Sequence, residues 1–232
     1  MNGDLRAEID ALIAKHPLLC CSEIKNGYQV TGPFILCHEY NGIYLYDEYE
    51  LKMEIPSNFP KDLPTVWETS NNIPSDFEHW YSDNNALCLG ATCEILDFVD
   101  QHPTLVAYVD ELIASYFYSA TYYKKYGTFP YGERSHNVEG IMEAYMDRYH
   151  VSDEDILFDL LKYVTGFSNY RGHIPCPCGS GKKFRSCHGK QVLKDIRSDR
   201  YSFFLSDALC VLNYLLKRGV NNSKTSTAKI DF

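Results

Sequence analysis

Four side chains that bind metal ions stand close together near residue 180. The segment 175–189 reads PCPCGSGKKFRSCHG, in which one residue separates Cys176 from Cys178, and Cys187 and His188 follow as an adjacent pair. Thiolate sulfur and neutral imidazole nitrogen are the ligands of closed tetrahedral zinc sites. The spacing therefore predicts a structural zinc ion. The alternative is that these residues belong to an ordinary loop without a metal. A redox role for the thiols is disfavoured, because their spacing and the basic residues between them both favour metal binding.

The residues around these four ligands are basic. The range 171–190 contains no Asp or Glu, and its cations are Arg171, Lys182, Lys183, Arg185 and Lys190. Three thiolates and one imidazole around a dication carry a net charge of about −1, which this cluster offsets. The same cluster could meet an acidic partner. Four protein ligands fill the coordination sphere, so Lewis-acid catalysis is disfavoured.

A single cysteine, Cys88, lies in a different, polar environment. The segment 79–90 reads HWYSDNNALCLG, so His79 precedes the thiol, and Asn84 and Asn85 bring carboxamides that can donate hydrogen bonds. A thiol with an ordinary pKa is only about 3% ionised at neutral pH, so nucleophilic use requires such polar support. Two interpretations stay open on chemistry alone: a nucleophile, or a partly buried structural cysteine.

The loop 127–136 holds two further candidates, Glu133 and His136. They would act on an attacking lysine if this loop folded back over Cys88. They would equally anchor the loop through hydrogen bonds to Arg134 or to the backbone, and we favour anchoring. The tyrosines between 116 and 126 are typical of helix packing.

Composition limits the class of protein. A chain of 232 residues with 45% hydrophobic and 23% charged residues predicts one or two folded domains. The net charge of −9 argues against a nucleic-acid partner, since phosphate binding needs excess cations. No apolar run reaches the roughly 20 residues of a membrane span, and acids stand where a signal peptide needs a basic start. Without an export signal, the nine cysteines are expected to be reduced, in a cytoplasmic protein.

Apolar spacing and turn signals predict an α+β fold. A helix over 4–16 precedes short apolar or alternating runs whose tight turns favour an antiparallel four-stranded meander. The runs lie at 27–31, 34–38, 43–46, 49–55 and 65–68. Residues 70–103 are expected to form a long structured loop, a kind that is usually functional. Further helices are predicted from Thr104 to Gly127, and over 138–149, 153–164 and 199–218.

The order of these features resembles that of ubiquitin-conjugating enzymes. Residues 55–66 read IPSNFPKDLPTV, similar to the family's run of IP, an aromatic residue before proline, a further proline and valine. His79 is then followed by Leu87-Cys88-Leu89, similar to the histidine and LCL of the family's active-site loop. The resemblance covers about residues 1–118. Among such proteins the chain looks most like the bacterial ubiquitin-conjugating-like enzymes of antiphage-defence operons.

This resemblance implies a transferase. Cys88 would accept a ubiquitin-like modifier as a thioester from an adenylating enzyme and pass it to an amine of a target protein, with His79 as the loop histidine. The family's His-Pro-Asn is His79-Trp80-Tyr81 here, so Asn84 or Asn85 would have to donate to the oxyanion. A catalytically inactive adaptor of the same fold is the main alternative. A cysteine peptidase, pairing Cys88 with His79 or His136, is a weaker one.

The segment 175–189 resembles the SEC-C motif, named from the C-terminal zinc module of the bacterial translocation ATPase. The motif reads CPCGSGKK followed by a Cys-Cys or Cys-His pair, which implies that Cys176, Cys178, Cys187 and His188 hold zinc and that the module docks partners. The predicted organisation is a UBC-like domain, a helical extension, the SEC-C zinc module, a C-terminal helix and a mobile tail. Their ranges are 1–118, 119–165, 166–190, 191–218 and 219–232.

Overall fold

The computed structural model describes residues 3–132 and 134–226. Its chain divides into two compact units, the first formed by 1–90 with 94–133 and the second by 91–93 with 134–232. The first unit is acidic, with 7 Lys or Arg residues and 20 Asp or Glu residues. The second is basic, with 15 Lys or Arg residues and 11 Asp or Glu residues. Glu133 and the end of the predicted mobile tail, 227–232, lie outside the described residues. No helix in the described part of the chain is long and apolar enough to cross a membrane.

The first unit begins with a helix and a four-stranded antiparallel sheet. The helix α1 (Gly3–Lys15) is followed by strands in sheet order β1 (Cys20–Ile24), β2 (Gly27–Tyr40), β3 (Ile43–Pro56) and β4 (Thr65–Glu68). Two-residue loops join β1 to β2 and β2 to β3. The α+β class and the antiparallel four-stranded sheet are therefore confirmed.

Strands β2 and β3 are longer than the sequence predicts. Each has 14 residues, and pairing continues without a break through Gly32↔Leu51 and Pro33↔Glu50. Gly32 and Pro33, which separate the predicted runs 27–31 and 34–38, are thus part of one strand. Strand β1 pairs with β2 only as far as Thr31, so Pro33 stands where β2 has one open side, a position that tolerates proline.

One face of this sheet forms the core of the first unit. Alternate residues of β2 and β3 are buried, as the two-residue period of a strand requires. They pack with apolar residues of α1 and of the helices after the sheet. The buried strand residues include Val30, Phe34, Leu36, Leu45, Tyr49, Leu51, Met53 and Ile55.

A long helical stretch follows the sheet. The region 70–103, predicted to be a loop, contains the helix α2 (Thr92–Gln101). The next helix has three parts, α3 (Leu105–Ala107), a π-helical segment (Tyr108–Ile113) and α4 (Ala114–Tyr126). It ends at Gly127 in a left-handed conformation, φ 68°, where the sequence predicts its end.

The second unit is helical. It contains α5 (Asn137–Tyr149), α6 (Glu154–Val164), α7 (Gly189–Arg197) and α8 (Tyr201–Ser226). Residues 191–218, predicted to be one C-terminal helix, thus belong to two helices. The Ser198 hydroxyl oxygen accepts a hydrogen bond from the Arg200 amide at 3.1 Å, a local bond of the kind found in turns and before helix starts. Helix α8 continues past Gly219, the predicted start of the tail.

Candidate functional site

The candidate metal centre is built on a short hairpin and a helix start. The Cys176 amide donates to the Lys182 carbonyl at 2.9 Å, and the Phe184 amide donates to the Ile174 carbonyl at 2.8 Å. These bonds close the loop that carries Cys176 and Cys178. Within that loop Gly179 and Gly181 both have φ 72°, a left-handed conformation that favours glycine.

The other two ligands come from the turn that leads into α7. A short 3-10 helix, Phe184–Ser186, precedes Cys187, and His188 is the residue before α7. The Cys187 amide donates to the Phe184 carbonyl at 3.0 Å, which folds this turn back towards the hairpin. One short stretch of chain therefore presents all four side chains to a common point.

The four ligand atoms have the spacing of a tetrahedral metal site. They all lie within 4.8 Å of one another. The sulfur atoms of Cys178 and Cys187 are 3.7 Å apart, and the Nδ1 atom of His188 is 3.2 Å from Cys176 Sγ and 3.5 Å from Cys187 Sγ. Zinc–sulfur and zinc–nitrogen bonds give tetrahedral edges of about 3.8 Å between sulfurs and about 3.5 Å from sulfur to nitrogen. The residues present thus fit a metal of the size of zinc.

The two thiols of the CPC segment differ in acidity. Burial raises the pKa of Cys176 to about 11. Burial also acts to raise the pKa of Cys178, but hydrogen bonds with the Ser180 hydroxyl and backbone outweigh it and lower that pKa to about 6. A thiol must lose its proton to bind a metal ion, so Cys178 is the more readily prepared ligand.

Aromatic packing holds the metal centre on the helices of its own unit. Phe184 is fully buried, and its ring centroid lies 4.8 Å from that of Tyr163 on α6 and 5.1 Å from that of Tyr170. Gly189, the first residue of α7, packs closely against Phe184. A β-carbon on Gly189 would lie 2.6 Å from the Phe184 carbonyl oxygen. The centre is therefore part of a packed helical body.

The outer surface of this module is cationic. Arg171, Lys182, Lys183, Arg185 and Lys190 are all exposed. No carboxylate of the described residues lies within 4.0 Å of their charged nitrogens. Beside them in the chain, Phe167 has 69% of its surface exposed. We call the five basic residues, together with the exposed Phe167, the cationic surface.

Cys88 and His79 meet at the base of a small hairpin. Trp80 pairs with Leu87 in an antiparallel bridge, and the Cys88 amide donates to the His79 carbonyl at 2.9 Å. The Leu87 amide donates to the carbonyl oxygen of Val66 on β4 at 2.7 Å, and this bond fixes the hairpin to the edge of the sheet. We call residues 79–88 the thiol hairpin. Its backbone brings together the two residues predicted to be the nucleophile and the loop histidine.

The surroundings of the Cys88 thiol are mixed. Its side chain is half-buried, and the Gly90 carbonyl oxygen lies 4.0 Å from its sulfur. The ring of His79 packs against those of Phe77 and Phe129, with centroids at 4.8 Å and 5.1 Å, and its Nε2 atom is buried. The contact between Cys88 and His79 thus runs through the backbone.

Asn84 and Asn85, the predicted oxyanion donors, lie at the opposite end of the thiol hairpin, in its turn. The Asn84 side-chain oxygen accepts from the Ala86 amide at 2.9 Å, and its backbone carbonyl accepts from the Trp67 indole at 3.0 Å. Asn85 has φ 56°, a left-handed conformation that asparagine tolerates. Both side chains are exposed, and Asn84 builds the turn.

The loop after α4 is anchored to α5. Arg134 donates to Asp147 at 3.0 Å, and Ser135 donates to Glu143 through its amide at 3.1 Å and its hydroxyl at 2.5 Å. His136 is the residue before α5 and belongs to the second unit. Arg134 and Ser135 therefore anchor their part of the loop to α5.

The sequence predicts only helix packing for Tyr116, but the structure gives this residue a polar contact with the thiol hairpin. Its hydroxyl donates to the His79 carbonyl at 2.9 Å. The two residues are 37 positions apart, so no local pattern could have paired them.

Comparison with known proteins supports the metal centre. The family model described as SEC-C motif matches residues 174–190, a range that contains all four ligands. No solved structure matches the chain. The second unit therefore contains a SEC-C motif with a clustered Cys₃His ligand set.

Proposed function

We propose that this protein is a ubiquitin-conjugating-like acyltransferase whose nucleophile is Cys88. The observation that carries the proposal is the thiol hairpin, which follows an antiparallel sheet and presents Cys88 beside His79. The helix, sheet and hairpin occur in the order of the ubiquitin-conjugating family, which the sequence resembles. The setting in bacterial antiphage defence rests on that resemblance alone.

The reaction would proceed in two exchanges. The Cys88 thiolate attacks the carbonyl carbon of the thioester that joins a ubiquitin-like modifier to its adenylating enzyme. A carbon–sulfur bond to Cys88 forms, and the adenylating enzyme leaves as a thiolate. An amine of the target protein then attacks the same carbon, the bond to Cys88 breaks, and the proton lost by the amine is taken up by the departing sulfur or by solvent.

The first exchange is nearly isoenergetic because one thioester replaces another. The protein's main contribution is therefore to position thiolate, carbonyl and amine, and to stabilise the oxyanion. Asn84 and Asn85 remain the proposed donors, although they lie in the turn of the hairpin. The reacting carbonyl carbon is bonded to Cys88 at the other end of the hairpin, so either side chain would have to leave the turn to reach its oxygen. In Asn84 the amide hydrogens would be the donors, since its side-chain oxygen accepts from the Ala86 amide.

We further propose that the metal is zinc and that the SEC-C module docks a protein partner. Zinc would hold Cys176, Cys178, Cys187 and His188 in place, with no open position for chemistry. The cationic surface fits an acidic segment of the partner or target. Holding that protein near Cys88 would raise its effective concentration at the thiol.

The test is thioester formation by the full-length protein. An adenylating enzyme, its ubiquitin-like modifier and ATP are added, and adducts are separated on a gel with and without reducing agent. We expect an adduct that thiols remove in the wild type, and an oxyester resistant to thiols, or no adduct, in Cys88→Ser. Cys93→Ser and Cys20→Ser are the controls and should form the normal adduct. A folded wild-type protein that forms no adduct, or an unchanged Cys88→Ser variant, would favour the inactive adaptor.

A further inference from the structure

Tyr116 connects the helix α4 to the thiol hairpin. It lies on the first turn of α4, only 6% exposed, and its hydroxyl donates to the carbonyl oxygen of His79 at 2.9 Å. That same oxygen accepts the amide of Cys88 at 2.9 Å. One carbonyl therefore joins the helix to the residue that carries the thiol.

The position of the Tyr116 ring is fixed on both sides. Its centroid lies 5.5 Å from that of Phe77 in an edge-to-face arrangement, and 5.8 Å from that of Phe117. Phe77 also contacts the ring of His79. The phenol is thus held by packing, and its hydroxyl has a defined direction towards the hairpin.

The hydroxyl also remains a donor. Burial, with a smaller electrostatic contribution of the Cys88 side chain, raises the pKa of Tyr116 well above its ordinary value. The group is therefore protonated at any pH at which a thiol could react. It is neutral, and its hydrogen bond goes to the backbone carbonyl of His79.

We propose that Tyr116 is a positioning residue for Cys88. By holding the His79 carbonyl, its hydroxyl fixes the base of the thiol hairpin and keeps the thiol in one position for attack on an incoming thioester. This inference rests on the proposed function and extends it to a residue outside the active-site loop. Tyr116 acts through the backbone and does not touch the reacting atoms.

The experiment compares Tyr116→Phe with wild type in the full chain. This variant removes one oxygen and keeps the ring contacts with Phe77 and Phe117. Tyr108→Phe is the matched control, because Tyr108 is equally buried and its hydroxyl also donates to a backbone carbonyl, that of Pro64 at 3.3 Å. Iodoacetamide labelling of Cys88 and of buried Cys93 is followed by mass spectrometry, beside the rate of thioester formation.

A positioning role predicts two opposite changes in Tyr116→Phe. Labelling of Cys88 by the small reagent rises about fivefold because the hairpin base is loosened, and thioester formation slows about fivefold. Labelling of Cys93 stays at the wild-type rate, which excludes general unfolding, and Tyr108→Phe changes neither rate.

Three results would overturn the inference. In the first, Tyr116→Phe labels Cys88 and forms the thioester at the wild-type rates. In the second, labelling of Cys93 rises in parallel with that of Cys88, and in the third, Tyr108→Phe shows the same changes as Tyr116→Phe. The labelling arm needs no modifier. If the wild type forms no thioester, the proposed function fails, while the ratio of Cys88 to Cys93 labelling still decides whether Tyr116 positions the thiol.

Discussion

The carboxylate of Asp195 is fully buried, and the guanidinium of Arg148 lies 2.7 Å from it. The Tyr149 hydroxyl donates to the same carboxylate at 2.8 Å, and the Gln191 side-chain amide donates at 3.0 Å. Asp195 belongs to α7, which begins directly after the metal ligand His188, whereas Arg148 and Tyr149 end α5. This cluster ties the helix next to the metal centre to a neighbouring helix.

Removing the Asp195 charge should destabilise the protein strongly. In Asp195→Asn the buried guanidinium of Arg148 loses its counterion, so we expect the free energy of unfolding to fall by about 3 kcal/mol. Urea unfolding followed by circular dichroism measures this loss. The control is Asp159→Asn, since Asp159 pairs with Lys162 at the surface and its loss should cost less than about 0.5 kcal/mol. Equal small effects in both variants would show that the buried pair contributes little.

Loss of one metal ligand should empty the metal centre. Three ligands bind zinc much less tightly than four. We therefore expect the wild type to bind one equivalent of zinc and Cys187→Ser to lose most of it. Because metal binding contributes directly to folding, the free energy of unfolding should also fall by several kcal/mol. Metal analysis by mass spectrometry and urea unfolding measure the two effects. Cys210→Ser, which alters an exposed thiol of α8, should retain zinc and stability.

The half-buried carboxyl of Asp207 should make stability depend on pH. Burial raises its pKa to about 6 in the folded protein, against an opposing hydrogen bond from Tyr145. The folded protein therefore binds a proton on the Asp207 carboxyl more tightly than the unfolded chain does. The stabilising contribution is complete below about pH 4 and is lost as the pH rises through about 6, and the pKa shift corresponds to about 3 kcal/mol.

The measurement compares Asp207→Asn with wild type by urea unfolding at pH 5 and pH 7.5. We expect the variant to be the more stable at pH 7.5, and the difference to shrink at pH 5. Taking the difference between two proteins removes the effect of acid on the metal ligands, which both share. Asp199→Asn, at an exposed position, should show no such change with pH. A constant difference between Asp207→Asn and wild type would contradict the prediction.

A β-carbon at Gly189 should disturb the turn before α7. It would stand 2.6 Å from the Phe184 carbonyl oxygen, and backbone cannot easily move there. We expect Gly189→Ala to lower the free energy of unfolding by about 2 kcal/mol. In Gly219→Ala, by contrast, the new β-carbon meets nothing within 4 Å, and alanine should stabilise α8 by up to about 1 kcal/mol. Thermal melts of the two variants should therefore shift in opposite directions.

Features encoded over short distances could be predicted from the sequence. The four metal ligands lie within 13 consecutive residues, so their types and spacing define the site without any knowledge of the fold. The meander also follows from local signals, because Asn41-Gly42 adopts φ 50° and 78°, as a tight hairpin turn requires. The helix α2 was missed, although Cys93, Leu96 and Val99 recur at helical spacing, since the surrounding region lacks regular periodicity.

Features that depend on distant contacts could not be predicted. The hydrogen bond from Tyr116 to His79 spans 37 positions, and the ion pair between Arg148 and Asp195 spans 47. A charged residue read in isolation suggests a solvated surface, so nothing near Asp195 indicates burial. The turn role of Asn84 likewise depends on its pairing across the thiol hairpin.

The π-helical segment Tyr108–Ile113 sets the helical phase of everything that follows it. A π turn accommodates an additional residue relative to an α turn. If this segment formed regular α turns with all its residues kept, the rest of the helix would be rotated by about 100°. The Tyr116 hydroxyl would then point away from the His79 carbonyl, so the angular alignment of α4 with the hairpin depends on the π turn that accommodates the extra residue.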